Sequence, residues 1–170
     1  VAVAIKNGMA AATLLPRDCD TSDDSDEVRI AFDGDSVVFS DESDKQYQEK
    51  GLLHFRDYEL QNADVPLQAG PFKNFVQKLH AIKNGWEPKE ECPLKTALLT
   101  ARGAPAHHRV FTTLKNWGIH MDEVVFAGGY SKGPIARAFG AHIMFDDTVK
   151  NTTNVEEFGV VAGHVPFGSG

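Results

Sequence analysis

Apolar residues along the chain change their spacing several times, and each change predicts a new element. Residues 1–15 predict a short helix followed by a small apolar segment, with Gly8 as the break. Residues 28–32 form a compact β-prone run that ends at Asp33-Gly34-Asp35. Residues 41–60 read as a helix with Asp41 as its cap and Tyr47, Leu52, Phe55 and Tyr58 as its apolar positions. After a loop over residues 62–70, Pro71 opens a second helix whose stripe is Phe72, Phe75, Val76, Leu79 and Ile82.

The second half alternates more cleanly. Strands are predicted over 97–100, 124–127, 143–145 and 160–162, and helices over 106–117, 134–139 and 155–158. Gly118 ends the first of these helices. Continuous apolar strands alternating with helices predict an α/β fold, a doubly wound parallel sheet covered on both faces. Ligands of such sheets bind beyond the carboxyl ends of the strands.

Those strand ends carry the candidate chemistry. Asp33 and Asp35 follow the first long strand, Thr100, Ala101 and Arg102 the next, Gly128-Gly129 leads to Lys132 after the third, and Asp146-Asp147 closes the fourth. In Asp33-Gly34-Asp35 the two-residue spacing directs both carboxylates to one side, and Gly34 allows a close backbone approach. Asp33 suits a nucleophile and Asp35 a general acid and base. Magnesium prefers hard oxygen ligands, which Asp33, the Asp35 carbonyl and one of Asp146 and Asp147 would supply. Thr100, with the backbone N–H groups of the helix expected after it, and Lys132 suit a phosphoryl group.

Composition narrows the class. A chain of 170 residues with 42% hydrophobic and 24% charged positions suits one domain with a core of its own. The net charge of -7 argues against nonspecific nucleic-acid binding. An anionic substrate would need local positive charge from a cation and basic side chains. The apolar run at residues 9–15 is too short to span a bilayer and lacks a signal-peptide pattern, so the chain reads as soluble and cytoplasmic. Cys19 and Cys92 read as free thiols. The acidic stretch from Asp18 to Glu27 lacks the glycine and terminal Glu of a calcium loop and reads as a solvated linker. None of the seven histidines has zinc spacing, and Gly128-Gly129 lacks the Walker pattern.

The ordered set DxD, Thr, Lys and DD resembles the haloacid-dehalogenase-like superfamily, with Asp33 to Val37 matching its first motif. The phrases RIAFDGDSVVFSDES, PLQAGPFKNFVQKL, ECPLKTALLTAR, FAGGYSKGPI, AHIMFDDT and VVAGHVPFG are similar to the cytosolic type I 5′-nucleotidases over nearly the whole chain. This resemblance implies a single domain over 1–170 and hydrolysis of nucleoside 5′-monophosphates of the AMP or IMP type. The cofactor it implies is Mg2+, and the intermediate an aspartyl phosphate. It puts the nucleophile on Asp33 and the acid/base on Asp35. Phosphate binding falls to Thr100 and Lys132, and metal binding to Asp146 and Asp147.

The insertion over residues 41–70 is the natural small helical cap, and Phe39, Phe55, Tyr58 and Phe72 are candidates to stack on a base. Members of that family carry a further segment before the stretch that matches Val1. The chain therefore reads as a shorter relative or a piece of a longer protein. A phosphatase for another small phosphomonoester, such as a sugar phosphate, and an inactive nucleotide-binding fragment are the competing readings. Oligomeric state is not legible.

Overall fold

The strands Thr13–Leu14 (β1), Val28–Phe32 (β2), Leu94–Thr100 (β3), Glu123–Phe126 (β4), Ile143–Asp146 (β5) and Val161–His164 (β6) form one sheet. Its order is β1-β6-β5-β2-β3-β4. A computed structural model describes residues 1–14 and 26–168, so Cys19 and most of the acidic stretch lie outside the described residues. All pairings are parallel except the short edge strand β1, which runs antiparallel to β6. The helices are Ala2–Lys6 (α1), Glu42–Gln61 (α2), Lys73–Asn84 (α3), His107–Trp117 (α4), Lys132–Phe139 (α5) and Val149–Glu157 (α6).

Alternation along the central strands divides the core into two layers. Ile30, Phe32 and Leu98 point to one face, where they meet Phe72, Val76, Val110 and Leu114. Ala31, Ala97 and Leu99 point to the other, against Ala136, Phe139 and Val155. The sheet is thus buried on both sides, as continuous apolar strands require. Ile82 departs from the predicted stripe of α3: it lies in the last turn of the helix and is 55% exposed. Helix α6 begins six residues earlier than predicted, at Val149 rather than 155.

Between β2 and α3 the chain leaves the sheet and returns to the same place. Ser40 N donates to Gln68 O at 2.9 Å, Gly70 N to Val38 O at 2.9 Å and Phe72 N to Val37 O at 2.9 Å, around a Phe39–Ala69 bridge. A Cβ on Gly70 would overlap the carbonyl oxygens of Val37 and Phe39, so only glycine allows this approach.

The predicted helix over 41–60 is real but not straight. Gly51 takes φ 80 and ψ 178, a conformation open essentially to glycine alone. The two legs of α2 fold back on each other at that point. Ser43 Oγ donates to Glu59 Oε1 at 2.7 Å, and these residues lie 16 positions apart. A straight helix rising about 1.5 Å per residue would hold them some 24 Å apart. His54 Nε2 and Gln46 Oε1, at 3.1 Å, and the edge-on rings of Tyr47 and Phe55 complete the antiparallel contacts. Asp41 does not cap this helix with its side chain; it pairs with Lys45 at 2.8 Å.

Candidate active site

Strand β2 is the topological switch point, since the chain proceeds from it to β3 and β4 on one side and later to β5 and β6 on the other. The loops after β2 and β5 therefore diverge and leave a crevice at their carboxyl ends. Asp33 follows β2 directly, and its N–H continues the ladder to Phe145 O at 2.8 Å. The chain then makes one wide turn over Gly34–Val38, closed by Phe39 N on Gly34 O at 2.8 Å, with Ser36 at φ 63. The position of a Cβ on Gly34 lies 3.1 Å from the Thr100 side chain, so the β2 and β3 loops touch there.

One ammonium joins two of the predicted carboxylates. Lys132 Nζ lies 2.7 Å from both Asp33 Oδ1 and Asp146 Oδ2, with Lys132 only 3% exposed. Asp146 also accepts from Thr148 N at 2.9 Å and from Asn151 Nδ2 at 3.1 and 3.2 Å. Asn154 Oδ1 accepts from Gly133 N at 2.8 Å and Ser131 Oγ at 2.5 Å, which secures the turn carrying Lys132. Sequence reasoning missed both asparagines. Their spacing of three on one helix is the signal that could have found them.

Asp33, Asp146 and Asp147 each offer one carboxylate oxygen within 4.8 Å of the others, and all three are buried. With Lys132 ionised, three carboxylates leave an excess of negative charge that a divalent cation would neutralise. The donors are hard oxygens, so the set fits magnesium. His164 Nε2 lies 2.9 Å from Asp147 O and steadies the loop that carries the pair. The Asp35 side chain is not in this cluster, which leaves only its backbone carbonyl for the ligand role expected of it.

Asp35 instead faces Arg102. Arg102 Nε donates to Asp35 Oδ2 and Nη2 to Asp35 Oδ1, each at 2.7 Å, while Nη1 donates to Glu59 Oε2. Arg109 continues the chain of charges, with Nη1 on Glu59 Oε1 at 3.0 Å and Nη2 on Glu42 Oε1 at 2.9 Å. The guanidinium expected to hold phosphate is thus engaged by two carboxylates. Thr100 is fully buried, and its Oγ1 accepts from Arg102 N at 3.3 Å. Helix α4 starts at His107, one residue after its predicted start, so residues 101–106 separate its N-terminus from Thr100. Ala101 is exposed on the cavity wall.

That cavity, of about 380 Å³, adjoins Asp35. The α2 hairpin lines it with Asp44, Tyr47, Leu52, Phe55 and Arg56; the other wall is Arg102 and the small residues Ala101, Gly103, Ala104 and Gly128-Gly129. Of the four aromatic candidates, Phe55 reaches the cavity. Tyr58 lies under the Arg109 guanidinium at 5.4 Å. Phe39 and Phe72 are core residues, 0% and 3% exposed, packed on Trp117 and on Phe32 and Phe145 respectively. Asp44, which sequence reasoning passed over, accepts from Ser36 Oγ at 3.0 Å.

Burial sets the protonation of this region. It pushes Asp33 well above the usual carboxylate range; Lys132 opposes this, and Asp146 and Asp147 reinforce it. Burial raises Asp147 to about 6, with Asp146 adding repulsion. It raises Asp44 to about 7, with Asp35 adding to the effect and the Ser36 hydroxyl opposing it. Burial works against the Lys132 charge as well, yet Asp33 and Asp146 outweigh it and hold the ammonium above its ordinary value.

Comparison with known proteins adds three findings. The family model described as 5′-nucleotidase matches residues 1–170. Cytosolic 5′-nucleotidase 1B of Homo sapiens is 37% identical over 165 residues, which cover 95% of this chain and 27% of that protein. The chain thus spans about a quarter of the length of this curated relative. Among solved structures, a chain of "Structure of Pnkp1/Rnl/Hen1 complex" aligns with a TM-score of 0.56 over 93% of this chain and 51% of that chain. At 16% identity that likeness concerns the fold alone.

Proposed function

Because this chain belongs to the 5′-nucleotidase family, we propose that it hydrolyses nucleoside 5′-monophosphates of the AMP or IMP type in the cytoplasm, with Mg2+ as cofactor and Asp33 as nucleophile. The observation that carries this reading is the buried meeting of Asp33, Lys132, Asp146 and Asp147 at the switch point, beside a cavity of nucleoside size.

An oxygen of Asp33 forms a bond to phosphorus as the bond from phosphorus to the 5′ oxygen breaks. The departing electron pair stays on that oxygen, which takes a proton from Asp35. In the second half, Asp35 takes a proton from water, the water oxygen bonds to phosphorus, and the acyl phosphate bond breaks to restore Asp33. Lys132 contributes fixed positive charge to the phosphoryl oxygens throughout. A magnesium ion held by Asp33, Asp147 and the Asp35 carbonyl would supply further positive charge for those oxygens. Asp146, already accepting from Lys132, Thr148 and Asn151, orients the ammonium.

The hairpin over residues 41–70 acts as the cap, and the nucleoside occupies the cavity beneath it, against Tyr47, Leu52 and Phe55. The test is phosphate release from AMP, IMP and hexose phosphates with and without magnesium. Turnover of AMP or IMP that requires the metal supports the reading. Preference for a hexose phosphate by orders of magnitude removes the nucleotide assignment.

A further inference from the structure

Glu59 has no part in the chemistry above, yet none of its surface is exposed. A carboxylate is not left in such a place without several donors. Here Oε1 accepts from Ser43 Oγ at 2.7 Å and Arg109 Nη1 at 3.0 Å, and Oε2 accepts from Arg102 Nη1. Arg102 turns its other edge to Asp35 through Nε and Nη2. The guanidinium is rigid and planar, so fixing one edge fixes the direction of the other. Glu59 stands on the second leg of the α2 hairpin, and Arg109, on α4, anchors both it and Glu42 on the first leg.

We propose that Glu59 is a positioning residue for Asp35, orienting the leaving-group acid through Arg102 and tying that acid to the far leg of the α2 hairpin. The proposal rests on the nucleotidase reading and on the acid role given to Asp35. Its physical basis is that one buried carboxylate separates two guanidiniums. With that charge removed, Arg102 and Arg109 keep only Asp35 and Glu42 as counter-charges and repel each other across the gap, and Arg102 loses the bond that fixes the edge it presents to Asp35.

Leaving-group chemistry separates this role from simple structural support. A nucleoside alkoxide needs a proton to depart, whereas p-nitrophenolate does not. Glu59→Gln keeps the side-chain shape and removes the charge. Its kcat/KM on AMP, which reports the steps up to formation of the acyl phosphate, is expected to fall by at least about tenfold, part of the roughly 10²–10⁴-fold that a general acid supplies. Its kcat/KM on p-nitrophenyl phosphate stays near that of the unaltered chain, because formation of the acyl phosphate from that substrate needs no proton, while the second half, in which Asp35 is the base, enters kcat alone. Parallel loss of kcat/KM on both substrates in a folded variant overturns the proposal, and so does wild-type kcat/KM on both.

Where Glu59→Gln fails to fold, Ser43→Ala decides. It removes one donor to Glu59 and leaves every charge in place, so a smaller drop confined to the alkyl phosphate supports the proposal and an unchanged ratio overturns it. An unaltered chain that is silent toward AMP and IMP sinks the nucleotidase reading instead, and the alkyl-to-aryl ratio is then read on a hexose phosphate.

Discussion

Arg102 holds Asp35 by two parallel hydrogen bonds of 2.7 Å each, with the Arg102 side chain 2% exposed and that of Asp35 12% exposed. Residues 67 positions apart in sequence thus form a planar fork-to-fork pair beside the cavity. Such pairing adds geometric order at Asp35, and it makes the surrounding charges interdependent.

Arg102→Met would leave Asp35 and Glu59 without their shared cation. Breaking a buried pair in this way costs about 3–5 kcal/mol. A denaturant melt of the variant should show that loss. Adding Glu59→Gln should recover part of it, because one uncompensated carboxylate is then gone. Strict additivity of the two changes would mean that the contacts are not energetically coupled.

Asp33→Asn should abolish turnover, since an amide cannot form the acyl phosphate. Asp35→Asn should keep substrate binding and lose about 10²–10⁴-fold in kcat on nucleotides. Steady-state assays of both variants check the two roles, and wild-type rates in either one remove the role concerned.

Metal affinity should depend on pH through Asp147. Burial raises its carboxyl to about 6, so protons compete with the cation below that value. Magnesium titrations followed by calorimetry should weaken as pH falls from 7 to 5, by about tenfold per pH unit at the acid end for each proton displaced. Affinity that stays flat across this range would exclude Asp147 as a ligand.

Asp44 should act on stability in the opposite direction from a salt-bridged carboxylate. Its folded value of about 7 lies above the ordinary 3.8, so the protonated form favours the fold. That contribution is complete below pH 3.8 and is lost as pH rises through about 7. Asp44→Asn should therefore melt near the unaltered chain at pH 4 and above it at pH 8. Discounted for partial solvent access, the gain is roughly 1–2 kcal/mol. A variant that is equally stable relative to the unaltered chain at both pH values would rule out the buried carboxyl as the cause.

The sheet was legible where its strands are apolar throughout and end at a sharp chemical boundary. Residues 28–32 were read with their true limits because Asp33-Gly34-Asp35 follows at once. β3 begins three residues before the predicted start, since Lys95 and Thr96 interrupt the hydrophobic run. The first turns of α6 hold Asn151, Thr152, Thr153 and Asn154, poor helix formers in isolation; packing on β5 and β6 and the bond from Thr148 N to Asp146 stabilise them.

Strand-end acids and Lys132 were legible because topology alone brings them together. The hairpin was not, although Gly51 marked it, because a glycine inside an apolar pattern also fits a tolerated defect in a straight helix. Phe39 and Phe72 flank the insertion in sequence as Phe55 lines it in space, and only the packing of their rings separates core from cavity. The ion pairs of Arg102 and Arg109 link positions 43–67 apart, which no local pattern reveals.

The rungs around Phe39 and Ala69 bring the two ends of a long excursion to within one strand spacing of each other. Residues between them can be exchanged for any segment whose own ends meet at about 5 Å, without moving Asp33 or the sheet. A different lobe can therefore be grafted at this one point of the sheet's carboxyl edge, provided that Arg102 and Arg109 again find an anion to hold.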